Sequence, residues 1–230
     1  MSRQRTGILV IGALLAASGV AFLRAEQLKL QHSPIGATRV QKYFSTVCPI
    51  RPGTRCRSHS ARISFRLRSA GTVALAIASS SGTIVDQLTP AAGTHMHHGR
   101  VTVRWDGHTA SGATAADGTY HLRVDLISLH RVITVTDPIE LDDTPPTVTL
   151  TSRAGALPIR YSTSEPAIVF VHATATGAHA GGALYRGHDG RVHFRRTRLS
   201  GQQVRITLVA VDPAGNASAP LSAGSVRLPG

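Results

Sequence analysis

The stretch Ala61-Arg-Ile-Ser-Phe-Arg-Leu-Arg68 alternates between side chains of two kinds. One set is apolar and consists of Ile63, Phe65 and Leu67, and the other is cationic and consists of Arg62, Arg66 and Arg68. Successive side chains of a strand point to opposite sides of a sheet, so this alternation predicts a β-strand with one buried face.

The same period of two continues along the chain as far as residue 136. It predicts strands at Thr72–Ala78, Gly82–Leu88, Arg100–Trp105, Gly118–Leu126 and His130–Thr136. The segments between them contain Asp-Gly pairs and serines, which are typical of turns. Short strands separated by such turns indicate an antiparallel β-sandwich.

A second run of strands follows a proline-containing boundary. Asp142-Asp143-Thr144-Pro145-Pro146 predicts a short extended linker, because proline fixes φ and biases the residue before it to extended geometry. Further strands are predicted at Thr147–Thr151, Pro158–Ser162, Pro166–Thr174, Arg191–Arg196, Gln203–Asp212 and Ser225–Leu228. The pattern therefore predicts an all-β protein with two tandem sandwiches, at residues 47–141 and 147–230, joined by a linker at 142–146.

The most specific motif combines Trp105-Asp-Gly-His-Thr-Ala-Ser-Gly112 with Asp117-Gly-Thr-Tyr-His-Leu-Arg-Val124. Its two Asp-Gly pairs predict turns, and its aromatic side chains supply a large buried area. The residues that define it are Trp105, Asp106, Gly107, Gly112, Asp117, Gly118 and Tyr120. This arrangement resembles the Ig-like domain of the flagellar hook-capping protein, over roughly residues 60–136. The resemblance implies an Ig-like sandwich used for scaffolding and display, with no catalytic residues.

The second predicted sandwich ends in Val209-Ala-Val-Asp212-Pro-Ala-Gly-Asn216. This segment is similar to the last strand and turn of many bacterial Ig-like and fibronectin-type repeats. The resemblance gives Asp212, Gly215 and Asn216 a structural role in closing the domain.

The N-terminus indicates export. Residues 1–6 carry Arg3 and Arg5, and residues 7–23 contain no charged side chain. A helix of that length spans roughly 25 Å, the short end of a membrane crossing. We expect an uncleaved, single-pass signal anchor at 7–23, with residues 1–6 inside the cell and the remainder outside. A signal peptide cleaved near Ala17-Ser18-Gly19 and a buried core helix are the alternatives.

Two cysteines separated by a short proline-containing loop agree with export. Cys48 and Cys56 are the only cysteines, and outside the cytoplasm two nearby thiols are expected to form a disulfide. Such a bridge stabilises by very roughly 2–3 kcal/mol in the chain-entropy model.

Charge is unevenly distributed along the chain. The net charge is +13, and residues 24–68 carry ten lysines and arginines against one glutamate. We expect residues 24–46 to form a basic stalk beside the membrane, which either contacts anionic lipid or envelope polymer or is simply solvated. Few aromatic residues interleave with the arginines, and an exported protein seldom meets nucleic acid, so no nucleic-acid partner is predicted.

Three further groups of side chains are candidate ligand sites. Arg191, Arg195, Arg196 and Arg198 follow one another closely and form either a stripe for an anionic polymer or glycan, or a charged edge strand. His95, His97 and His98 form a weak metal candidate, which His108 can complete, but the segment is typical of a surface loop. Asp142 and Asp143 can bind calcium only with further acidic loops, so they predict a solvated linker.

Enzyme signatures are absent from the sequence. It contains no H-E-x-x-H, no G-x-S-x-G and no phosphate-binding glycine loop. The sequence predicts a non-catalytic, membrane-tethered interaction or scaffold module of the cell envelope, without a cofactor, whose partner is an envelope protein or an anionic wall polymer. The alternatives are recognition of a wall polymer or carbohydrate, and an envelope enzyme with an unrecognised histidine metal site.

Overall fold

The computed structural model describes residues 33–48, 56, 58–175, 182–188, 190–192, 194 and 199–229. The chain divides into two compact units, Met1–Gly36 and Ala37–Gly230, and nearly all described residues belong to the second. No described helix is long and apolar enough to cross a bilayer. The expected anchor at 7–23 lies outside the described residues.

Ten strands make up the first half of the described chain. They are β1 (Ile35–Val40), β2 (Tyr43–Phe44), β3 (Ala61–Leu67), β4 (Gly71–Ser79), β5 (Ile84–Gln87), β6 (Thr94–Met96), β7 (Gly99–Trp105), β8 (Gly118–Leu126), β9 (Arg131–Thr134) and β10 (Ile139–Leu141). One sheet has the order β1-β3-β7, and the other has the order β2-β10-β8-β4-β5, with β6 on β4 and β9 on β8. A short 3-10 turn, Ile127–Leu129, separates β8 from β9.

The inward side chains of the two sheets form an apolar core. The alternating face of β3 buries Ile63, Phe65 and Leu67, as the period of two predicts. Strand β4 buries six successive residues, Val73–Ala78, so both of its faces are covered. The aromatic side chains at the start of β8 and the end of β7 lie at one end of this core.

The seven remaining strands form the second half. They are β11 (Val148–Leu150), β12 (Tyr161–Thr163), β13 (Ile168–Ala175), β14 (Gly182–His188), β15 (Arg191–Val192), β16 (Gln203–Val211) and β17 (Leu221–Arg227). Strands β11 and β12 pair with each other, and the other five follow the order β15-β14-β13-β16-β17. Buried residues of this half, including Ile159, Tyr161, Val171 and Leu208, share one core. The prediction of an all-β chain is therefore confirmed, and its mainly antiparallel sheets are consistent with Ig-like sandwiches.

Part of the expected basic stalk is strand instead. Residues 24–46 were expected to be a stalk, but β1 and β2 place residues 35–40 and 43–44 in the sheets. The parallel pairing of β2 with β10 explains the difference, because a two-residue strand gains its hydrogen bonds from a partner almost a hundred residues away. The peptide N–H of Glu140 donates to the carbonyl oxygen of Lys42 at 2.6 Å.

Candidate functional site

Trp105 joins the two sheets of the first sandwich. It lies at the end of β7, is 1% exposed, and contacts Phe44 and Tyr120 of the opposite sheet, with ring centroids 5.6 and 4.7 Å away. Its indole Nε1 donates to the carbonyl oxygen of His108 at 2.8 Å. The tryptophan of the motif therefore fills the core and fastens the following turn, and its burial leaves it no role in ligand binding.

The Asp-Gly turn after Trp105 is stabilised locally. The carboxylate of Asp106 accepts from the peptide N–H of His108 at 3.0 Å. Gly107 has a φ of +83°, and a Cβ there would lie 2.5 Å from Cγ2 of Thr46. Only glycine satisfies both the backbone and the close approach.

The rest of the motif places Asp117 beside the predicted linker. Gly112 lies in the loop before β8, Gly118 is the first residue of that strand, and the hydroxyl of Tyr120 donates to the carbonyl oxygen of Ala116. The carboxylate of Asp117 accepts from the peptide N–H of Asp143 at 2.8 Å and from the hydroxyl of Thr144. The motif therefore fixes the start of the linker.

Asp143 fastens the same linker to the segment after β2. Its carboxylate accepts from the hydroxyl of Ser45 at 2.9 Å and from the peptide N–H of Thr46 at 2.6 Å. A third bond comes from the hydroxyl of Thr46. The residues at 142 and 143 are thus half-buried and bonded, which differs from the solvated linker expected from the sequence.

The closing turn of the second half meets this linker. Asp212 is 0% exposed, and its Oδ1 accepts from the peptide N–H groups of Gly215 at 2.6 Å and Asn216 at 3.0 Å. The side-chain Nδ2 of Asn216 donates to Oδ2 of Asp212 and to the carbonyl oxygen of Asp142, both at 2.8 Å. The Asp-Pro-Ala-Gly-Asn turn therefore organises itself and also holds the linker.

The disulfide lies against that turn. Cys48 and Cys56 form the expected bridge, with their Cα atoms 5.9 Å apart, and both are buried. The sulfur of Cys48 lies 3.7 Å from the carbonyl oxygen of Ala214. A Cβ on Gly215 would lie 2.5 Å from the peptide nitrogen of Cys56. The residues singled out separately in each half of the sequence thus meet at one junction.

Three carboxylates converge at this junction. One oxygen each from Asp142, Glu165 and Asp212 lies within 4.8 Å of the others, and we call this group the acidic junction. Burial and the neighbouring carboxylates of Asp212 and Asp117 raise the pKa of Asp142 above its usual range. Burial and the charges of Asp142 and Asp212 raise the pKa of Glu165 in the same way.

A second charged surface covers one face of the sheet β1-β3-β7. The register pairs Arg62 with Arg104 and Arg66 with Arg100 directly across β3 and β7. A shallow cavity of about 350 Å³ is lined by Arg39, Val40, Gln41, Arg62, Ser64 and Arg100. We call the exposed residues Arg39, Arg62, Arg66, Arg100 and Arg104 the arginine face.

The other predicted ligand groups have less support. His95, His97 and His98 are exposed, and His95 lies in β6 instead of a loop. The rings of His95 and His97 lie 5.6 Å apart, but the groups of three ligand atoms found among the described residues are elsewhere. One of those groups consists of Cys48, Cys56 and His59, but the two cysteine sulfurs are already joined in the disulfide.

The predicted arginine stripe is only partly described. Arg191 is exposed and lies in β15, whereas Arg195, Arg196 and Arg198 lie outside the described residues. The stripe therefore stays a prediction.

Sequence reasoning missed Glu165 and the cross-strand arginine pairs. Arg100 and Arg104 have the same spacing of four as Arg62 and Arg66, and both pairs lie on predicted strands. That shared spacing was a usable signal for one charged face. Glu165 gave no signal, because nothing local links it to residues 142 and 212.

Comparison with known families bears out the resemblance. Residues 55–128 match the FlgD Ig-like domain. The match covers strand β3, the whole Trp105 motif and strand β8. No curated protein matches the chain.

The chain also matches several solved structures at low identity. Fibronectin(III)-like modules of CbhA from Clostridium thermocellum are 17% identical, with 84% of this chain and 94% of that chain covered and a TM-score of 0.36. FLGD from P. aeruginosa is 16% identical, with 58% and 90% covered and a TM-score of 0.30. The BSP domain of a biofilm associated protein is 15% identical, with 85% and 30% covered and a TM-score of 0.29.

Proposed function

We propose that this chain, whose residues 55–128 form a FlgD-type Ig-like domain, is a non-catalytic interaction module tethered in the bacterial cell envelope. The arginine face is the observation that carries the proposal. It presents its side chains to solvent, and no described acidic residue forms a salt bridge with them. A surface of this kind favours a partner that carries negative charge.

The register of the sheet strengthens this argument. Like charges placed directly opposite each other on neighbouring strands are destabilising. Two such pairs, Arg62 with Arg104 and Arg66 with Arg100, follow each other on the same face. An anionic partner that accepts hydrogen bonds from several guanidinium groups relieves this repulsion, and guanidinium is well suited to carboxylate and phosphate groups.

Tethering rests on the N-terminal sequence and on the disulfide. Residues 7–23 are uncharged and follow Arg3 and Arg5, which favours an inside N-terminus and an outside remainder. A buried disulfide between Cys48 and Cys56 agrees with an oxidising compartment.

Cell fractionation tests the tether. We expect the full-length chain, with an intact N-terminus by mass, in the membrane fraction, and we expect protease added to intact cells to cleave it. A mature chain that begins after residue 17 and is found in the medium would contradict the anchor but not the arginine face.

A photo-crosslinking amino acid at Thr102 tests the interaction itself. Thr102 is exposed and lies on β7 between the two arginine pairs, opposite Ser64. We expect a discrete crosslinked product in cells, and we expect the same probe at Thr134, on β9 of the other sheet, to lack it. Equal products from both positions would show that the arginine face is not the contact surface.

An anionic wall polymer is a second candidate for the partner, and the cavity favours it. Arg39, Arg62 and Arg100 converge on a depression large enough for one or two acidic groups of a chain. Purified wall material should sediment the protein, and added salt should weaken the binding. We expect Arg62→Gln/Arg100→Gln, which removes two of the cavity's arginines, to weaken binding about tenfold, a free-energy loss of about 1.4 kcal/mol.

A matched variant controls for net charge. Arg131→Gln/Arg153→Gln removes the same charge from exposed positions away from the arginine face. It should retain most of the binding. Equal losses in the two double variants would show a general charge effect and would contradict a specific site.

A further inference from the structure

The acidic junction brings three carboxylates together. Its members come from three separate segments: Asp142 follows β10, Glu165 lies between β12 and β13, and Asp212 follows β16. Within the described part of the chain, no lysine, arginine or histidine forms a salt bridge with any of them. Buried or half-buried carboxylates are normally paired with a cation or with a metal.

The spacing of the three carboxylate oxygens is compatible with a bound calcium ion. Calcium binds oxygen ligands at 2.3–2.6 Å, so two ligands on opposite sides of the ion lie roughly 4.6–5.2 Å apart. The three carboxylate oxygens lie within 4.8 Å of one another, which is inside that limit. Magnesium requires near-ideal octahedral geometry at 2.0–2.1 Å, and zinc generally prefers nitrogen and sulfur ligands.

Asn216, which contacts two residues of the acidic junction, provides a second and independent observation. Asn216 is 2% exposed, and its side-chain Oδ1 has no hydrogen-bond partner although it is buried. The Nδ2 of the same planar amide is bonded to Oδ2 of Asp212 and to the carbonyl oxygen of Asp142, so the amide is held between two members of the acidic junction. An unpaired buried acceptor is unfavourable, and amide oxygens are accepted calcium ligands.

We propose that the acidic junction, with Asn216, is a calcium site that links the end of the first sandwich to the second. Asp142, Glu165 and Asp212 supply the charged ligands, and the Asn216 amide supplies a neutral oxygen. The ion joins the residue that follows β10 to two loops of the second half. Its binding therefore holds the linker in place, and affinity is expected near the 10⁻⁴–10⁻³ M that is typical of extracellular modules.

Calorimetric titration of the full-length chain in mild detergent tests the site. After treatment with a chelator, we expect calcium chloride to bind with one-to-one stoichiometry and to raise the thermal unfolding midpoint. Magnesium at the same concentration should have a smaller effect. No calcium binding at concentrations up to about 10 mM, tenfold above the weak end of the expected range, would overturn the proposal.

Glu165→Gln separates a specific site from general charge screening. Glu165 is half-buried, and no described hydrogen bond holds its carboxylate, so the isosteric change should leave the fold intact. We expect calcium affinity to fall at least tenfold. Asp142→Asn is the second variant, because it also preserves side-chain shape, and either variant binding calcium as wild type does would contradict the assignment.

Glu140→Gln is the matched control for the same chemical change. Glu140 is also half-buried, but its carboxylate accepts from the hydroxyl of Thr119 at 2.7 Å and is outside the acidic junction. It should bind calcium as the wild-type chain does. These measurements involve no partner, so their result is independent of the proposed interaction through the arginine face.

Discussion

Replacing Gly215 by alanine should destabilise the junction between the two sandwiches, so that the chain unfolds at a much lower urea concentration. The new Cβ would lie 2.5 Å from the peptide nitrogen of Cys56 and 2.9 Å from its Cα. Favourable contacts lie near 3.5–4.0 Å, so the methyl group is about 1 Å too close. Neither segment can move away easily. The disulfide restrains Cys56, and the carboxylate of Asp212 accepts from the N–H of Gly215 at 2.6 Å.

The expected loss has two parts. Overpacking of a well-packed site costs typically 1–3 kcal/mol. A φ of +106° at Gly215 adds a backbone cost, roughly 1–2 kcal/mol for an L-residue at positive φ. The free energy of unfolding should therefore fall by about 2–5 kcal/mol in the Gly215→Ala variant.

Gly201→Ala isolates the backbone part. Gly201 lies in the same half of the chain with a φ of +76°, and nothing lies within 4 Å of the Cβ that alanine would add. Its loss should be about 1–2 kcal/mol. Both variants also restrict the unfolded chain to a similar extent, so this contribution cancels in the comparison.

Urea unfolding followed by circular dichroism measures the difference between the two variants. We expect Gly215→Ala to be less stable than Gly201→Ala by about 1–3 kcal/mol, the overpacking contribution alone. Losses that agree within about 0.5 kcal/mol, the usual scatter for uncoupled surface changes, would refute the argument. The turn that follows β16 would then not press on the disulfide segment in solution.

Three further changes test the contacts that surround the junction. Trp105→Ala should lower the free energy of unfolding by about 3–5 kcal/mol, because it leaves a cavity at a buried site. A loss below about 1 kcal/mol in thermal unfolding would show that the core does not depend on Trp105. Dithiothreitol should lower the thermal unfolding midpoint of the wild-type chain, because reducing the disulfide removes roughly 2–3 kcal/mol of stability. The midpoint of the Cys48→Ser/Cys56→Ser variant should not change. An equal shift in the two proteins would exclude the disulfide as the cause. Asp143→Ala leaves the donors of Ser45 and Thr46 unpaired and should lower the free energy of unfolding in urea by about 1–3 kcal/mol. Stability equal to that of the wild-type chain would show that these hydrogen bonds are weak in solution.

The strands and their turns were predictable because their signals are local. The prediction for β8, Gly118–Leu126, agrees with the structure to the residue, and β7 differs by one residue. Side-chain alternation and Asp-Gly turns act within a few residues of each other, so they can be recognised without knowing the partner strand. Strands β1 and β2 lack this signal and were missed, because distant pairing creates them.

The candidate sites were less predictable than the fold. The acidic junction was anticipated only as Asp142 and Asp143, and the structure instead combines Asp142 with Glu165 and Asp212. Asp143 points to the other side and binds the segment after β2. Adjacent residues of an extended chain project in opposite directions, so two consecutive carboxylates seldom serve one ion.

The sequence by itself determined that the chain folds into sandwiches, where its turns lie, and that it contains a FlgD-type Ig-like motif. Those properties depend on the period of the side chains and on glycines at positions of positive φ. Only the tertiary structure decided which charges face each other. Strand register aligns the arginines of β3 with those of β7, and loop closure brings residues 142, 165 and 212 together, because distance in space depends on pairing between segments that are remote in sequence.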